Sequence, residues 1–435
     1  MKRLIEDELT AWKLSNERKV LLIRGARQVG KTWSIRNLGR SFDLFLEFNF
    51  EENSDLISFF DSRLDPLFLC ERLSAYAGRS IVPGKTLVFF DEIQACPNAL
   101  RALRFFYEKM PELHVVAAGS LLEFALEEIS SFGVGRIEYR YMYPLSIREF
   151  AMVLGYENSL DLVCREKVSA EGDPLHRQLV DMIRVYMMIG GFPEIVKYYI
   201  KRHDLPGCMS RLDDLITTLR SDFAKYRKRI PSSRLNSVYK SIMEQAGGKF
   251  VYSHVAADLR TEQIRKAVDL LVLAGLVYKI PHSSAQGIPL GANVKHTRFK
   301  MIPCDIGIYQ RLSGLRLSDE ITKDNRTLLN SGAAAELVAG TELLASSSSR
   351  TSPELFYWHR ESRNSNAEVD YVFQVGSNIV PIEVKAGTRG SMRSLRMFLK
   401  SHKKSPYGIR TSLEPFSEYG NVQVVPLYAL GSMCI

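Results

Sequence analysis

Eight residues, Gly25-Ala-Arg-Gln-Val-Gly-Lys-Thr32, constrain this chain more than any other stretch because of what flanks them. Val20-Leu-Leu-Ile23 is a short apolar run that reads as a buried strand, and Trp33-Ser-Ile-Arg36 continues as a helix. Glycines between a buried strand and a helix start let backbone N–H groups close into a concave cradle at the positive end of the helix dipole. A phosphate group satisfies such a cradle, the lysine that follows reaches the β- and γ-phosphates, and the adjoining hydroxyl serves Mg²⁺. Gly25, Ala26, Arg27, Gln28, Val29, Gly30, Lys31 and Thr32 are therefore the expected nucleotide contacts, with Lys31 also catalytic and Thr32 also on the metal. The bland alternative is a Gly-rich turn.

Thr86-Leu-Val-Phe-Phe90 is a second apolar run without alternation, as expected of a central strand buried on both faces, and it ends in Asp91-Glu92. An Asp there suits the Mg²⁺ shell, and the Glu beside it suits proton transfer from an attacking water. Otherwise the two acids merely begin a loop or cap a helix. Leu113-His-Val-Val-Ala-Ala118 is a third buried strand running into Gly119-Ser120. Ser120 either senses the γ-phosphate and orients water or simply ends the strand. Arg136 and Arg140 precede Tyr143-Pro-Leu-Ser146 and are read as arginine fingers or as solvated surface arginines. No Asn-Lys-x-Asp guanine-reading motif is present, which favours ATP over GTP.

The remaining residues argue for several compact units, since 435 residues exceed one ordinary core. Alternating strand and helix patterns over residues 1–150 predict an α/β unit with a parallel sheet. Residues 151–230 show helical periodicity alone and read as a helical lid. In 231–315, the helical stretches Ser232–Gln245 and Thr261–Ala274 precede Leu276–Ile280 and Thr297–Ile302, an order that suggests a winged helix. That unit would offer Arg265, Lys266, Lys295 and Arg298 to nucleic-acid phosphates, or else serve packing and protein contact. Charge points the same way: residues 201–300 carry 18 Lys and Arg against 8 Asp and Glu, so they hold the whole net excess of +9. DNA or RNA is the expected partner of this segment, although solvated basic helices give the same count. The six cysteines are scattered and no zinc-ligand spacing occurs; with an ATP site this favours a reducing cytoplasm. No run approaches a membrane span, so no membrane partner is expected.

Residues 316–435 carry a second constellation. Ala333–Leu344 is helical and holds Glu336; Leu355–Trp358, Val369–Phe373 and Ile379–Lys385 are strand-like, Arg389–His402 is helical, and Val422–Val425 is another strand. Asp370, Glu383 and Lys385 thus project from adjacent strands, with Glu383 and Lys385 on one face. Asp370 and Glu383 are candidate Mg²⁺ ligands, and Lys385 a candidate to polarise or deprotonate water attacking a phosphodiester, with Glu336 as a fourth member. The helix–hairpin–strand–helix–strand order matches what such a nuclease core needs; solvent-facing cross-strand pairs are the competing explanation.

Four blocks, Gly25–Thr32, Phe90-Asp-Glu-Ile-Gln94, Gly190-Gly-Phe-Pro193 and Ile382-Glu-Val-Lys385, together resemble prokaryotic AAA-superfamily ATPases that carry a C-terminal domain of unknown function. The resemblance spans nearly the whole chain. It implies an AAA-type P-loop core, a winged helix and a restriction-endonuclease-like tail. It also implies that Lys31 and Thr32 bind phosphate and Mg²⁺, that Asp91 and Glu92 serve Mg²⁺ and water, and that Asp370, Glu383 and Lys385 occupy the nuclease-like positions. Gly135-Arg136 answers to the family's Gly-Arg pair, in a Phe132-Gly-Val context that differs from it. The expected activity is Mg²⁺-dependent ATP hydrolysis coupled to nucleic-acid engagement. Two rivals stand: a nucleotide-controlled switch that binds a protein partner or a second copy of the chain, with an inert tail, and an ATP-gated, metal-dependent nuclease.

Overall fold

The computed structural model describes residues 1–120, 122–123, 126, 135–226, 230–314, 332–352, 354–360, 367–387 and 390–433. Phe132–Val134, Arg389 and the expected boundary at 315/316 fall outside them.

Near the N-terminus, helix α1 (Ile5–Leu14) leads to strand β1 (Val20–Arg24), helix α2 (Lys31–Gly39) and strand β2 (Leu44–Asn49). Helix α3 (Pro66–Ala77), strand β3 (Thr86–Asp91), helix α4 (Pro97–Lys109) and strands β4 (His114–Ala118) and β5 (Ile137–Tyr141) follow. These strands form a parallel sheet in the order β2-β3-β4-β1-β5. Its strands lack polar alternation because both faces are covered. Leu21, Ile23, Leu87 and Phe89 join one apolar core, whereas Val20, Leu22, Val88 and Phe90 join the other. On the second face α4 lays down Ala99, Leu100, Ala102, Leu103 and Phe106, the three-and-four spacing of a helix with one buried stripe.

Five helices come next: α5 (Ile147–Leu154), α6 (Glu157–Glu166), α7 (Pro174–Ile189), α8 (Pro193–Arg202) and α9 (Leu205–Ser221). Asp305, buried, pins the Gly190-Gly191 turn between α7 and α8. It accepts from Gly191 N at 2.7 Å and from Gly307 N at 2.8 Å, so the same carboxylate caps a helix far along the chain, α12 (Ile306–Leu312). Burial raises the Asp305 pKa to about 6, against the pull of those backbone donors.

Before α12, helices α10 (Ser232–Glu244) and α11 (Thr261–Leu273) precede a hairpin of strands β6 (Val277–Ser283) and β7 (Val294–Pro303). The hairpin does not stand apart as a free wing. β6 bridges in parallel to β8 (Phe356–His359) at His282↔Tyr357, and the sheet continues through β9 (Glu368–Val375), β10 (Asn378–Val384), β11 (Gly408–Ser412), β13 (Val422–Pro426) and β12 (Ser417–Tyr419). Helix α13 (Gly332–Ala345) packs on it, and α14 (Arg393–Ser401) covers β9 and β10. Strands β6 and β7 of the 231–315 segment and the strands of the tail therefore belong to one sheet. A single apolar core runs from Ile5 in α1 to Leu430 in the tail. Among the described residues, no helix is long and apolar enough to cross a membrane.

Candidate active site

Parallel strands deliver their carboxyl ends to one edge, and register decides which residues meet there. Ile23 pairs with Ala118, and Phe90 with Ala117, so Gly25, Asp91, Glu92, Gly119 and Ser120 emerge side by side. Gly25 has φ +143°, and a Cβ there would lie 2.1 Å from the Met142 carbonyl oxygen, so only glycine fits against the backbone just past the end of β5. At Gly119 a Cβ would lie 1.9 Å from Gln94 Oε1, so a larger residue there would displace the Gln94 side chain.

Lys31 begins α2 and is buried. Its Nζ donates to the carbonyl oxygens of Gly25 at 2.7 Å and Ala26 at 2.8 Å. Burial lowers its pKa to about 8, with Glu92 and Asp91 opposing that only in part. Thr32 Oγ1 donates to Asp91 Oδ2 at 3.1 Å, which brings the expected hydroxyl and carboxylate into contact. Burial, aided by the neighbouring Glu92 charge, lifts the Asp91 pKa to about 6. A hydroxyl and a carboxylate converging on one point are the hard oxygen donors that Mg²⁺ takes, so this pair fits the ion.

Glu92 sits in the left-handed region, φ 48°, which turns its side chain back toward β4. Its Oε2 accepts from Gln94 Nε2 at 2.7 Å and from Ser120 N and Ser120 Oγ, both at 3.1 Å. Burial would raise its pKa, but those three donors and the Lys31 charge outweigh it and hold the carboxyl below its ordinary value.

Several supports were not foreseen from sequence. Arg3, buried ahead of α1, donates to the Val29 carbonyl at 2.7 Å, to Tyr143 O at 2.9 Å, and to Glu149 Oε1 at 2.8 Å. Glu149 in turn closes the capping box of α5 with Ser146. Arg27 in the loop pairs with Asp222 just past α9, and the turn at Gly275 rests on Ala26, where a Cβ would be 3.3 Å from the backbone nitrogen. On the far side of Gly30 a cavity of about 460 Å³ is lined by Met1, Trp33, Pro193 and Ile200, with Arg3, Glu194, Lys197 and Lys201 at its polar rim. The Gly190-Gly-Phe-Pro193 block thus reaches the loop through its proline. No local pattern marks Arg3; the pairing spans 146 positions in the chain.

The two arginines read as fingers lie elsewhere. Arg140 is buried in the edge strand β5 between Glu8 at 2.9 Å and Glu138 at 2.7 Å, so it is a structural ion pair. Arg136 is exposed and pairs with Glu108.

In the tail, β9 and β10 run antiparallel with Ile382 opposite Tyr371, which sets Glu383 beside Asp370. Glu383 Oε1 is held by Lys385 Nζ at 2.8 Å, and Asp370 Oδ2 accepts from Val384 N at 2.7 Å. Glu336 arrives from α13, yet its oxygen is 2.8 Å from the ammonium of Lys300, a residue of β7. Lys300 also meets Glu368 at 2.5 Å and Asp370 at 3.8 Å. Asp370, Glu383, Lys385 and Glu336 are therefore brought together, with Lys300 and Glu368 as unforeseen members.

Residues 17–151 match the AAA domain family AAA_14, and residues 180–319 and 331–430 match two domains of unknown function, DUF8612 and DUF4143. No curated protein matches the chain. Among solved structures, the Aeropyrum pernix ORC1 protein in complex with DNA aligns at 14% identity over 74% of this chain and 95% of that one, with a TM-score of 0.30. The S. cerevisiae Hsp104–ADP complex aligns at 12% identity over 63% of this chain and 38% of that chain, TM-score 0.29. Unliganded Pif1 from Bacteroides sp aligns at 15% identity over 39% of this chain and 47% of that chain, TM-score 0.22. The family match coincides with the parallel sheet and its phosphate loop, so residues 17–151 form an AAA domain of the P-loop type.

Proposed function

We propose that this chain binds ATP with Mg²⁺ and hydrolyses it, and that its nucleotide state is coupled to nucleic-acid engagement by the basic 201–300 segment. One observation carries the hydrolytic reading: the pairs Thr32–Asp91 and Glu92–Ser120 meet beside Lys31 at one sheet edge. Lys31 exchanges its loop carbonyls for the β- and γ-phosphates. Thr32 and Asp91 hold Mg²⁺, which supplies positive charge against the phosphate oxygens. Glu92 accepts the proton of the attacking water as the new P–O bond forms and the bond to the β-phosphate oxygen breaks. Ser120 keeps Glu92 ionised and aimed. The apolar cavity beside Gly30 takes the base, against Trp33 and Pro193.

Coupling is supported by where the loop touches the rest of the chain. Arg27 reaches Asp222 and Ala26 meets the Gly275 turn, so the loop that would hold phosphate touches the basic segment at two points. The test is ATP turnover with and without single- and double-stranded DNA, with Glu92→Gln as control. Stimulation by DNA that vanishes in Glu92→Gln is expected; turnover indifferent to DNA ends the nucleic-acid part. Lys31→Ala protein that still binds and turns over ATP would end the whole reading.

The protein-partner switch with an inert tail is favoured by one observation, the buried Lys300 among the tail carboxylates. The gated-nuclease reading requires that Asp370→Ala abolish Mg²⁺-dependent cleavage while leaving ATP turnover alone.

A further inference from the structure

A lysine in the buried half of a strand needs a reason. β7 is exposed over residues 295–298 and buried from Phe299 to Pro303, and the Lys300 side chain, only 1% exposed, lies in that buried half. Its ammonium is within 2.8 Å of Glu336 Oε1 and 2.5 Å of Glu368 Oε1, and it stands 3.8 Å from Asp370 Oδ1. The ring of Tyr357 stands 5.3 Å from it on another side. Glu368 and Asp370 are two apart on β9 and so share a face, while Glu336 descends from α13. Carboxylate oxygens converging from separate elements on one buried point are the donor set of a hard divalent cation. Here that point holds an ammonium.

The Mg²⁺ reading of Asp370 and Glu383 therefore does not fit this arrangement. Each of the two carboxylates already faces a lysine, Asp370 facing Lys300 and Glu383 facing Lys385. Burial alone would discharge Lys300, but Glu336, Asp370 and Glu368 together outweigh it and keep the ammonium charged. Nor is Lys300 on a loop that swings aside. It pairs with Ile280 in the β6–β7 ladder and with Lys249 in a lone bridge, and β6 is joined to β8 of the tail's own sheet.

We propose that Lys300 is the resident cation of the tail: its ammonium stands where Glu336, Glu368 and Asp370 would otherwise collect a divalent metal. The wild-type tail accordingly takes no Mg²⁺ or Mn²⁺ at this point, and removing the lysine charge turns the cluster into a divalent-cation site. The proposal is independent of the nucleotide reading, because it concerns a separate cluster.

Mn²⁺ uptake by the full chain, followed by the electron paramagnetic resonance signal of the free ion, tests it. The measurement uses Asp91→Asn protein without nucleotide, so that the loop site is not counted. With Lys300 intact no tail site is expected. Adding Lys300→Met creates about one equivalent of bound Mn²⁺. Adding Asp370→Asn to that variant weakens uptake ~10-fold or more. Mn²⁺ bound with Lys300 intact and lost in Asp370→Asn would overturn the proposal, as would a folded Lys300→Met protein that takes up no Mn²⁺. If Lys300→Met folds only with Mn²⁺ present and melts on chelation, that dependence supports it. Should it fold in neither condition, Lys300→Met/Glu368→Gln, with one carboxylate fewer, takes its place. Failure of Mn²⁺ to bind or rescue that protein overturns the proposal, since a site that accepts the ion is stabilised by it.

Discussion

Lys31 and Lys300 are both buried lysines set beside carboxylates, and their surroundings treat the charge in opposite ways. Lys31 donates to two neutral carbonyls, while Asp91 and Glu92 are held by a threonine hydroxyl, a glutamine amide and the serine of β4's end. Its cation and its anions each have neutral hydrogen-bond partners, and burial, offset only in part by the charges nearby, lowers the Lys31 pKa to about 8 and raises that of Asp91 to about 6. Lys300 instead meets its carboxylates directly, and its charge is consumed inside the protein. Buried charges kept apart by neutral partners are a demand for a charged ligand. Buried charges paired with one another are structure. The contrast separates a site whose charges suit the proposed phosphate and Mg²⁺ from one whose carboxylates already face an ammonium.

The largest effect that would break this comparison is on turnover. Glu92→Gln should lower ATP hydrolysis by ~10²-fold or more while leaving ATP binding in place, because the amide cannot accept the water proton. Lys31→Ala should lose binding as well. Trp33, which lines the cavity beside Gly30, gives a fluorescence signal that separates the two outcomes. Equal loss of binding in both variants would mean that Glu92 acts on loop geometry and not on water.

Stability gives the next largest effect, and its sign is the sharper test. Lys300→Met strands three carboxylates without their cation and should cost about 3–5 kcal/mol in urea unfolding. Lys31→Met removes a buried charge that has no direct ionic partner, so its change should stay within about 1 kcal/mol of zero, or be stabilising. Similar losses for both lysines would erase the distinction drawn between the two sites.

How much of this contrast a sequence displays depends on how local each interaction is. The phosphate loop, Asp91-Glu92 and Ser120 were legible because each lies at the end of an apolar run, and parallel strands carry such ends to one edge. Glu336, Asp370, Glu383 and Lys385 were legible as a group from strand spacing. Lys300 was counted with the solvated basic residues, since a charge total is blind to burial; the only hint is its place before Met301-Ile302 in an apolar run. Strand β5 has no apolar pattern to read because Glu138, Arg140 and two tyrosines interrupt it, and its buried Arg140 pairs with Glu8 of a distant helix. Arg3 and Asp305 act across more than a hundred positions, beyond any window of local pattern.

A pH experiment follows from the unpaired state of the nucleotide site. Bound phosphate favours the charged form of Lys31, so ATP binding should take up protons above about pH 8, where the free lysine is losing them. A cation on Asp91 favours the carboxylate, so Mg²⁺ binding should release protons as pH falls toward about 6 and below. Calorimetry in buffers of different ionisation enthalpy reads both. Lys31→Arg, which keeps a positive charge that does not titrate in this range, should remove the uptake and leave the release; an uptake that survives the substitution would assign it to another group.

The smallest effect distinguishes lysines within the basic segment itself. Lys266 lies on the exposed face of α11 with Glu262 at 2.9 Å, both side chains more than two-thirds exposed, whereas Lys300 is enclosed. An exposed i,i+4 pair is held only weakly through solvent, so the Lys266 charge is released readily to a stronger anion. If α11 contacts nucleic acid, Lys266→Ala should weaken binding about equally for all sequences and reduce the slope of log K against log salt by about 1. Lys300→Arg should leave that slope unchanged, because a charge held inside a carboxylate cage releases no counterions from a phosphate backbone. A slope that moves with Lys300 and not with Lys266 would mean that β7 opens when nucleic acid binds, and the tail's cation would then have to leave its cluster.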